Sequence, residues 1–475
     1  MKKTVAIILC FVLLACSDDF LDQPPDINNS IEITTIDELD KLFNGIQIPY
    51  IEDQVNIFCT DNAFMPQEVL DESFAFSDAQ IGQYTFATNF DRTQDEKWRR
   101  HYQNVLLPNI ALELLDENEL EGNDEILKAQ LRAEAHFIRA FHFFELAIAY
   151  GLYPNQTNEN ELGIVLRQTS SLTESLKRAT LKQTFEFILA DLQEALKYPT
   201  QEKKYFYRIG IPSVHALVAR IHLYLRNYDQ ALFHSNEALA GYSPMVNFDE
   251  NVFESNETLW YGNFTYPNTA FQRTRSSTSI PDFWVDQYYF VDFSNPSWNT
   301  SPSQELLDLY DPNDIRNLFF IEGWFSRSGV TSNTWFTYMN TQVGTRLSGP
   351  DVPEMYLTRA ECKARNNDIA GAMADMEMVR INRFHPEDYV PTPVPTTVKD
   401  AVQLIVDERR REAPFKYRLM DIKRLNNDPL TDSIIITRTI NGETITIQPN
   451  DRRYARPIGQ DVINLSEGQT QQNTY

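Results

Sequence analysis

Two stretches of the chain repeat one spacing of small residues, and that spacing constrains how both must fold. Between Val214 and Gly241, Ala219, Ala231 and Ala238 lie twelve and seven residues apart, with Arg226-Asn227-Tyr228-Asp229 between the first two. The same intervals return at Ala360, Ala372 and Val379, with Asn366-Asn367-Asp368-Ile369 at the matching place. Helices approach closely only where the facing side chains are small. Each stretch therefore predicts two antiparallel helices around a short turn, the unit of tetratricopeptide-like repeats of about 34 residues. One such hairpin cannot bury its own apolar face, so several are expected to stack into a curved scaffold.

Elsewhere apolar residues also fall at helical intervals. Trp98, Tyr102, Val105, Asn109 and Leu112 form one stripe of a helix. A second helix is predicted from about Leu127 to Tyr150, ended by Gly151 and Pro154, and a third from Leu181 to Tyr198, with Phe185, Ile188, Leu189, Leu192 and Leu196 on one face. Asn441-Gly442, between Ile434–Thr439 and Glu443–Ile447, is a two-residue hairpin signal. From about Tyr242 to Pro350 no period survives among many Asn, Ser, Thr, Pro and aromatic residues. A loop region of this length is usually functional or disordered, and its aromatic content argues against disorder. The predicted fold class is mainly α: tetratricopeptide-like hairpins in a curved scaffold, long irregular aromatic-rich loops and a small C-terminal β-hairpin.

The N-terminus carries Lys2 and Lys3, an apolar run, and then Leu13-Leu14-Ala15-Cys16. This is a secretory signal, too short to span a membrane. It resembles a lipobox, which implies that Cys16 becomes the acylated first residue. Several acyl chains, at about 0.8 kcal/mol per buried methylene, hold a protein on a bilayer without a spanning helix. The polar stretch to Ser30, with Pro24 and Pro25, reads as a tether. Asp18 and Asp19 resemble the export signals that send lipoproteins of Bacteroidota to the cell surface.

The net charge is -25, or -27 without Lys2 and Lys3, and so acidic a surface repels phosphate backbones; nucleic acid is not an expected partner. With Cys10 in the signal and Cys16 lipidated, Cys59 and Cys362 allow one disulfide at most and no zinc site made of cysteines. Only 16 glycines in 475 residues disfavour Gly-rich phosphate loops. No H-E-x-x-H, G-x-S-x-G or G-x-x-x-x-G-K-[ST] motif is present. Among 67 acidic residues a glycosidase pair is not ruled out by sequence.

The charges at Glu408, Arg409, Arg410, Arg411, Glu412, Arg418, Asp421 and Arg424 are spaced to pair with one another. His136 and His142, six apart, face different sides of one helix and read as packed side chains. The better binding residues are aromatics outside the helices. Flat rings match the C–H face of a pyranose, and neighbouring polar groups bind its hydroxyls. The leading candidates are Phe74, Tyr84, Trp284, Tyr288, Trp298 and Trp324 with Arg273 and Asp286; Phe76, Tyr289, Trp335, Arg275, Asp282 and Asn299 belong to the same set. The alternative for each ring is that it anchors a loop to the scaffold. No catalytic residue, cofactor or metal ligand is assigned.

The lipobox at Cys16, the Trp98 stripe with Asn109, the helix Arg132–Phe141, the segment Glu354–Glu361, Asp407–Glu412 followed by Arg418–Arg424, and the ending Arg456–Gly459 with Gln471–Tyr475 occur in an order that resembles the SusD/RagB family of surface nutrient-binding lipoproteins. Between Glu412 and Arg418 the chain departs from the family's common form: Lys416 stands where many members carry glutamate, and Pro414 should bend or restart the helix.

The resemblance implies a signal at 1–15, a lipidated tether at 16–30, an N-terminal helical region at 31–240, a loop-rich ligand platform at 241–350 and a C-terminal helical region with the hairpin at 351–475. It further implies a non-catalytic lipoprotein of the outer membrane, lipid-anchored at the surface, that captures an oligosaccharide and hands it to a TonB-dependent (SusC-like) transporter. Peptide capture by the same type of protein is the first alternative, and a glycoside hydrolase on helical hairpins the second.

Overall fold

The computed structural model describes residues 33–45, 55–71, 76–89, 95–117, 120–198, 200, 208–251, 259–261, 264–266, 286, 288–289, 292–294, 301–322, 336–338, 345–347 and 349–475. The main helices are α1 (Ile36–Gly45), α2 (Glu96–Glu117), α3 (Glu125–Tyr150), α4 (Leu181–Ala195), α5 (Ile211–Tyr224), α6 (Tyr228–Gly241), α7 (Val352–Arg365), α8 (Ile369–Arg380), α9 (Val398–Glu412) and α10 (Arg418–Leu425). The mainly helical expectation holds. The predicted third helix ends at Ala195, three residues early; its start is fixed by a capping box of Thr180 and Gln183.

Helix α3 is buried along most of its length, as expected for a helix apolar on nearly every side. It packs between α2 and α4, with Phe143 against Phe187 and Phe144 against Phe185 at 5.8 and 6.4 Å between ring centroids. The Trp98 stripe faces this core, and Asn109 is spent within it: its amide donates to the carbonyls of Arg167 and Thr169, and its oxygen accepts from Arg139.

The two repeated stretches form hairpins α5–α6 and α7–α8, which match residue for residue. Each first helix carries proline at its second position, Pro212 or Pro353. Each turn has one left-handed residue at the same place, Arg226 (φ 58°) or Asn367 (φ 66°). Ala219, Ala231, Ala238, Ala360, Ala372 and Val379 are all fully buried. Helix α6 stacks on α7: Ala231 and Leu223 enclose Cys362, and Ala238 and Ala216 meet Val352 and Met355. Gly241 lets α6 end against α5, since a Cβ there would lie 2.5 Å from Pro212 Cγ.

A chain of buried ion pairs crosses this stack. Arg220 of α5 forks onto Glu354 of α7 at 2.8 and 2.5 Å, and Glu354 also faces Arg409 of α9. Arg409 pairs with Asp421, Asp421 with Arg424, and Arg424 with Glu361. The predicted structural pairing is thus present, and it joins four helices. Pro414 lies in the break between α9 and α10, where the helix stops and restarts, and Lys416 pairs with Asp351. His136 bonds Asp191 while His142 meets His101, so each is satisfied within the packing through one ring nitrogen. Cys59 and Cys362 are both buried, and among the described residues neither forms a disulfide.

The Asn441-Gly442 hairpin joins strands Ile436–Ile440 and Glu443–Ile447, with Asn441 at φ 51° and Gly442 at φ 80°, the left-handed pair that a type I′ turn requires. Within 241–350 the described pieces include two-residue and three-residue ladders, among them Leu259–Tyr261 with Phe264–Tyr266 and Phe320–Glu322 with Phe336–Tyr338. Strands this short leave no alternation for a sequence to display. Among the described residues no helix is long and apolar enough to cross a membrane.

Candidate functional site

A cleft of about 590 Å³ opens where three distant parts of the chain meet: Asp61–Phe64, Pro302–Leu307 and Ile435–Thr439, with Arg410 of α9 at its wall. The first segment is stapled to the scaffold. Asn62 donates to the carbonyl of Pro414 at 2.5 Å and accepts from Arg410 at 2.6 Å, while Arg418 forks onto Asp61 at 2.8 and 2.7 Å. Ala63–Phe64 then pairs with Ser301–Pro302 as a two-residue ladder. Arg438 reaches inward from the hairpin, donates to the carbonyls of Thr60 and Ala63, and lies 4.2 Å above the Tyr84 ring. The break at Pro414 therefore supplies an acceptor that positions the cleft.

What this framework leaves exposed is suited to a hydroxylated ligand. Phe64 is 43% exposed. Thr437 and Thr439 alternate outward from buried Ile436, Arg438 and Ile440. Because Ile440 and Glu443 flank the two-residue turn as a hydrogen-bonded pair, alternation along the ladder points the N–H and C=O groups of Thr437 and Thr439 away from the partner strand. Gln304 and Glu305 stand exposed at the rim. Burial by itself would raise the Asp61 pKa, but Arg418, Arg410 and Arg438 hold the carboxyl well below the usual range. Asp61 is thus ionised near neutrality and cannot serve as a general acid.

Tyr84 lines the cleft with little of its surface free: it is 2% exposed, and its hydroxyl accepts from the Met65 amide at 3.3 Å. Tyr288 and Asp286 correct the expectation more sharply. Tyr288 is 1% exposed and donates its hydroxyl to the Tyr242 carbonyl at 2.6 Å, and Asp286 is buried with its carbonyl accepting from Val352. Tyr289 packs edge-on against Phe137 and Phe141, and Phe76 against Phe58. These side chains anchor loops to the scaffold, because a long loop gains stability only by burying some of its own rings. Phe74, Trp284, Trp298, Trp324, Trp335, Arg273, Arg275, Asp282 and Asn299, together with the lipidation site Cys16, lie outside the described residues. Phe64, Thr437 and Thr439 have no place among the residues read from sequence as binding candidates, and Arg410 figures there only as a pairing charge; the Thr-x-Thr strand beside the hairpin turn is the one local signal for the two threonines.

A stack of helical hairpins defines a class of scaffold proteins. A family model described as "Starch-binding associating with outer membrane" matches residues 19–223, and the model of the SusD family matches residues 321–475. The chain belongs to the SusD/RagB family. Its structure is similar to that of a SusD superfamily protein from Bacteroides thetaiotaomicron, with 16% identity, a TM-score of 0.69, and coverage of 93% of this chain and 100% of that one. A putative sugar binding protein from Bacteroides vulgatus gives 18%, 0.66, 94% and 99%, and surface glycan-binding protein A from Bacteroides uniformis 14%, 0.64, 92% and 99%. At these identities the likeness shows the fold. No curated protein matches the chain.

Proposed function

We propose that this chain is a non-catalytic outer-membrane lipoprotein, anchored through Cys16 at the cell surface, that captures an oligosaccharide and delivers it to a TonB-dependent transporter. Its membership of the SusD/RagB family carries the reading, with sugar-binding and glycan-binding proteins among its structural neighbours. The cleft adds the chemistry: an exposed ring beside hydroxyl and backbone groups that no described residue engages, on a frame held rigid by ion pairs. Region 241–350 is the ligand platform, and it contributes Pro302–Leu307 to the cleft.

Calorimetric titration of the mature protein with neutral oligosaccharides and with peptides tests the assignment. Sugar binding weakened about tenfold by Phe64→Ala is expected, the magnitude of losing one stacked ring. A response to peptides alone overturns the sugar assignment. A Cys16→Ser chain should lose its acyl mass and leave the membrane fraction; retention of both refutes the anchor.

A further inference from the structure

A second concavity, of about 630 Å³, lies away from the residues of the cleft, between the Leu166–Ala179 segment and α4. Its floor is the half-buried ring of Phe187, and the groove is open above that ring because the neighbours on either side, Ala179 and Ala190, are small. Phe187 is fixed from within: Arg139 lies 5.2 Å from its centroid and is itself held by Asp191 at 2.7 Å, while Phe143 packs at 5.8 Å. The rim is polar; Glu174 and Arg178 are spent on Arg167 and on backbone carbonyls, and three other side chains are not. Gln183 uses its oxygen in the cap at Thr180, which leaves its amide N–H groups free, and among the described residues no hydrogen bond or ion pair engages the Glu186 carboxylate or the Lys177 ammonium. Gln183, Glu186, Phe187 and Ala190 share one face of α4 through their spacing of three and four. Among the described residues, where most arginines are engaged by carboxylates or carbonyls, a rigid ring bordered by one acceptor and two donors without partners stands apart.

We infer that this groove is a second saccharide site, taking neutral pyranose units of the same oligosaccharide class that the cleft captures. It rests on the sugar-capture reading. Ring hydroxyls would donate to Glu186 and accept from Lys177 and Gln183, charge-assisted bonds on one side and an apolar face on the other. Glu174 and Glu186 balance Lys177 and Arg178 in the lining, so the groove itself offers a uronate no net attraction while the net charge of -25 on the chain repels it, and neutral sugars are selected.

The test is calorimetry on the mature full chain in detergent with maltohexaose, cellohexaose, mannohexaose and xylohexaose, and with hexagalacturonate as the anionic probe. Two sites per chain are expected for the neutral hexasaccharide that binds. Ala190→Met fills the groove from an exposed helical position without removing any contact, and should reduce the stoichiometry from two to one. Phe187→Ala should weaken that site about tenfold. A single site indifferent to both variants overturns the inference and leaves the capture reading standing. Binding of hexagalacturonate in the groove in preference to neutral sugars overturns it as well. Silence with every neutral hexasaccharide removes the capture reading, and the inference with it.

Discussion

Lys423 of α10 is 2% exposed, and among the described residues no carboxylate pairs with it. Its ammonium nitrogen donates to the carbonyls of Ile148 at 2.5 Å and Gly151 at 2.8 Å, at the C-terminal end of α3 where backbone acceptors lack helical partners. Two acceptors match the two N–H bonds of a neutral amine. Burial, opposed by Cys59 and aided by Arg456, brings its pKa down to about 7 from the ordinary 10.5. The folded state therefore releases the proton before the unfolded state does. Above pH 7 the unfolded chain binds more protons, so stability rises with pH through the window from 7 towards 10.5, and the cost of the buried charge is fully present below pH 7. Between pH 6 and pH 9 this amounts to about 2.5 kcal/mol, from 1.36 kcal/mol per pKa unit.

Lys423→Met keeps the length and removes the titration, at a fixed cost of about 1–3 kcal/mol for the two orphaned carbonyls. Urea unfolding followed by far-UV circular dichroism, at constant ionic strength from pH 6 to 9, should show the native chain gaining about 2.5 kcal/mol on the variant across that range. Taking the difference cancels the histidines and the buried thiols, which titrate in both proteins. Parallel stability curves for the two would show that the folded-state pKa of Lys423 is not displaced and would refute the reasoning.

Other perturbations reach the scaffold. Glu354 is buried, which by itself would raise its pKa, but Arg220, Arg409 and Lys416 bring the carboxyl down to about 2. Glu354→Gln should cost about 1.5–3 kcal/mol at pH 7 by removing one charged acceptor from the buried guanidinium groups of Arg220 and Arg409, and chemical denaturation that moves by less than 1 kcal/mol would contradict this. Because the pKa of Glu354 is depressed, its contribution should be intact above about pH 5 and fade as pH falls towards 2, which acid titration of the native chain against the variant would reveal. Gly442→Val, at φ 80° with nothing within 4 Å of a built Cβ, tests backbone conformation alone. About 1–2 kcal/mol of lost stability is expected, and an unchanged melting temperature would refute the type I′ assignment.

The hairpins α5–α6 and α7–α8 were legible because close helix packing writes small residues into the sequence at fixed intervals. The ion-pair chain was legible only in its local leg, Arg424 to Asp421, three residues apart. Its tertiary legs, Arg220 to Glu354 and Arg424 to Glu361, depend on which helices become neighbours, and no spacing records that. The cleft was illegible for the same reason, since Phe64, Gln304, Arg410 and Thr437 are joined by packing alone.

Counting aromatics outside the predicted helices pointed to binding, yet Tyr84, which ends a short helix Asp78–Tyr84, and Tyr288 and Tyr289 in the irregular region are consumed in packing. In a scaffold that spends its rings and charges on itself, ligand-binding residues differ from structural ones in what remains unspent rather than in type. Phe64 at the cleft, and Lys177 and Glu186 at the groove, stand out only against the partners that the other described rings and charges have.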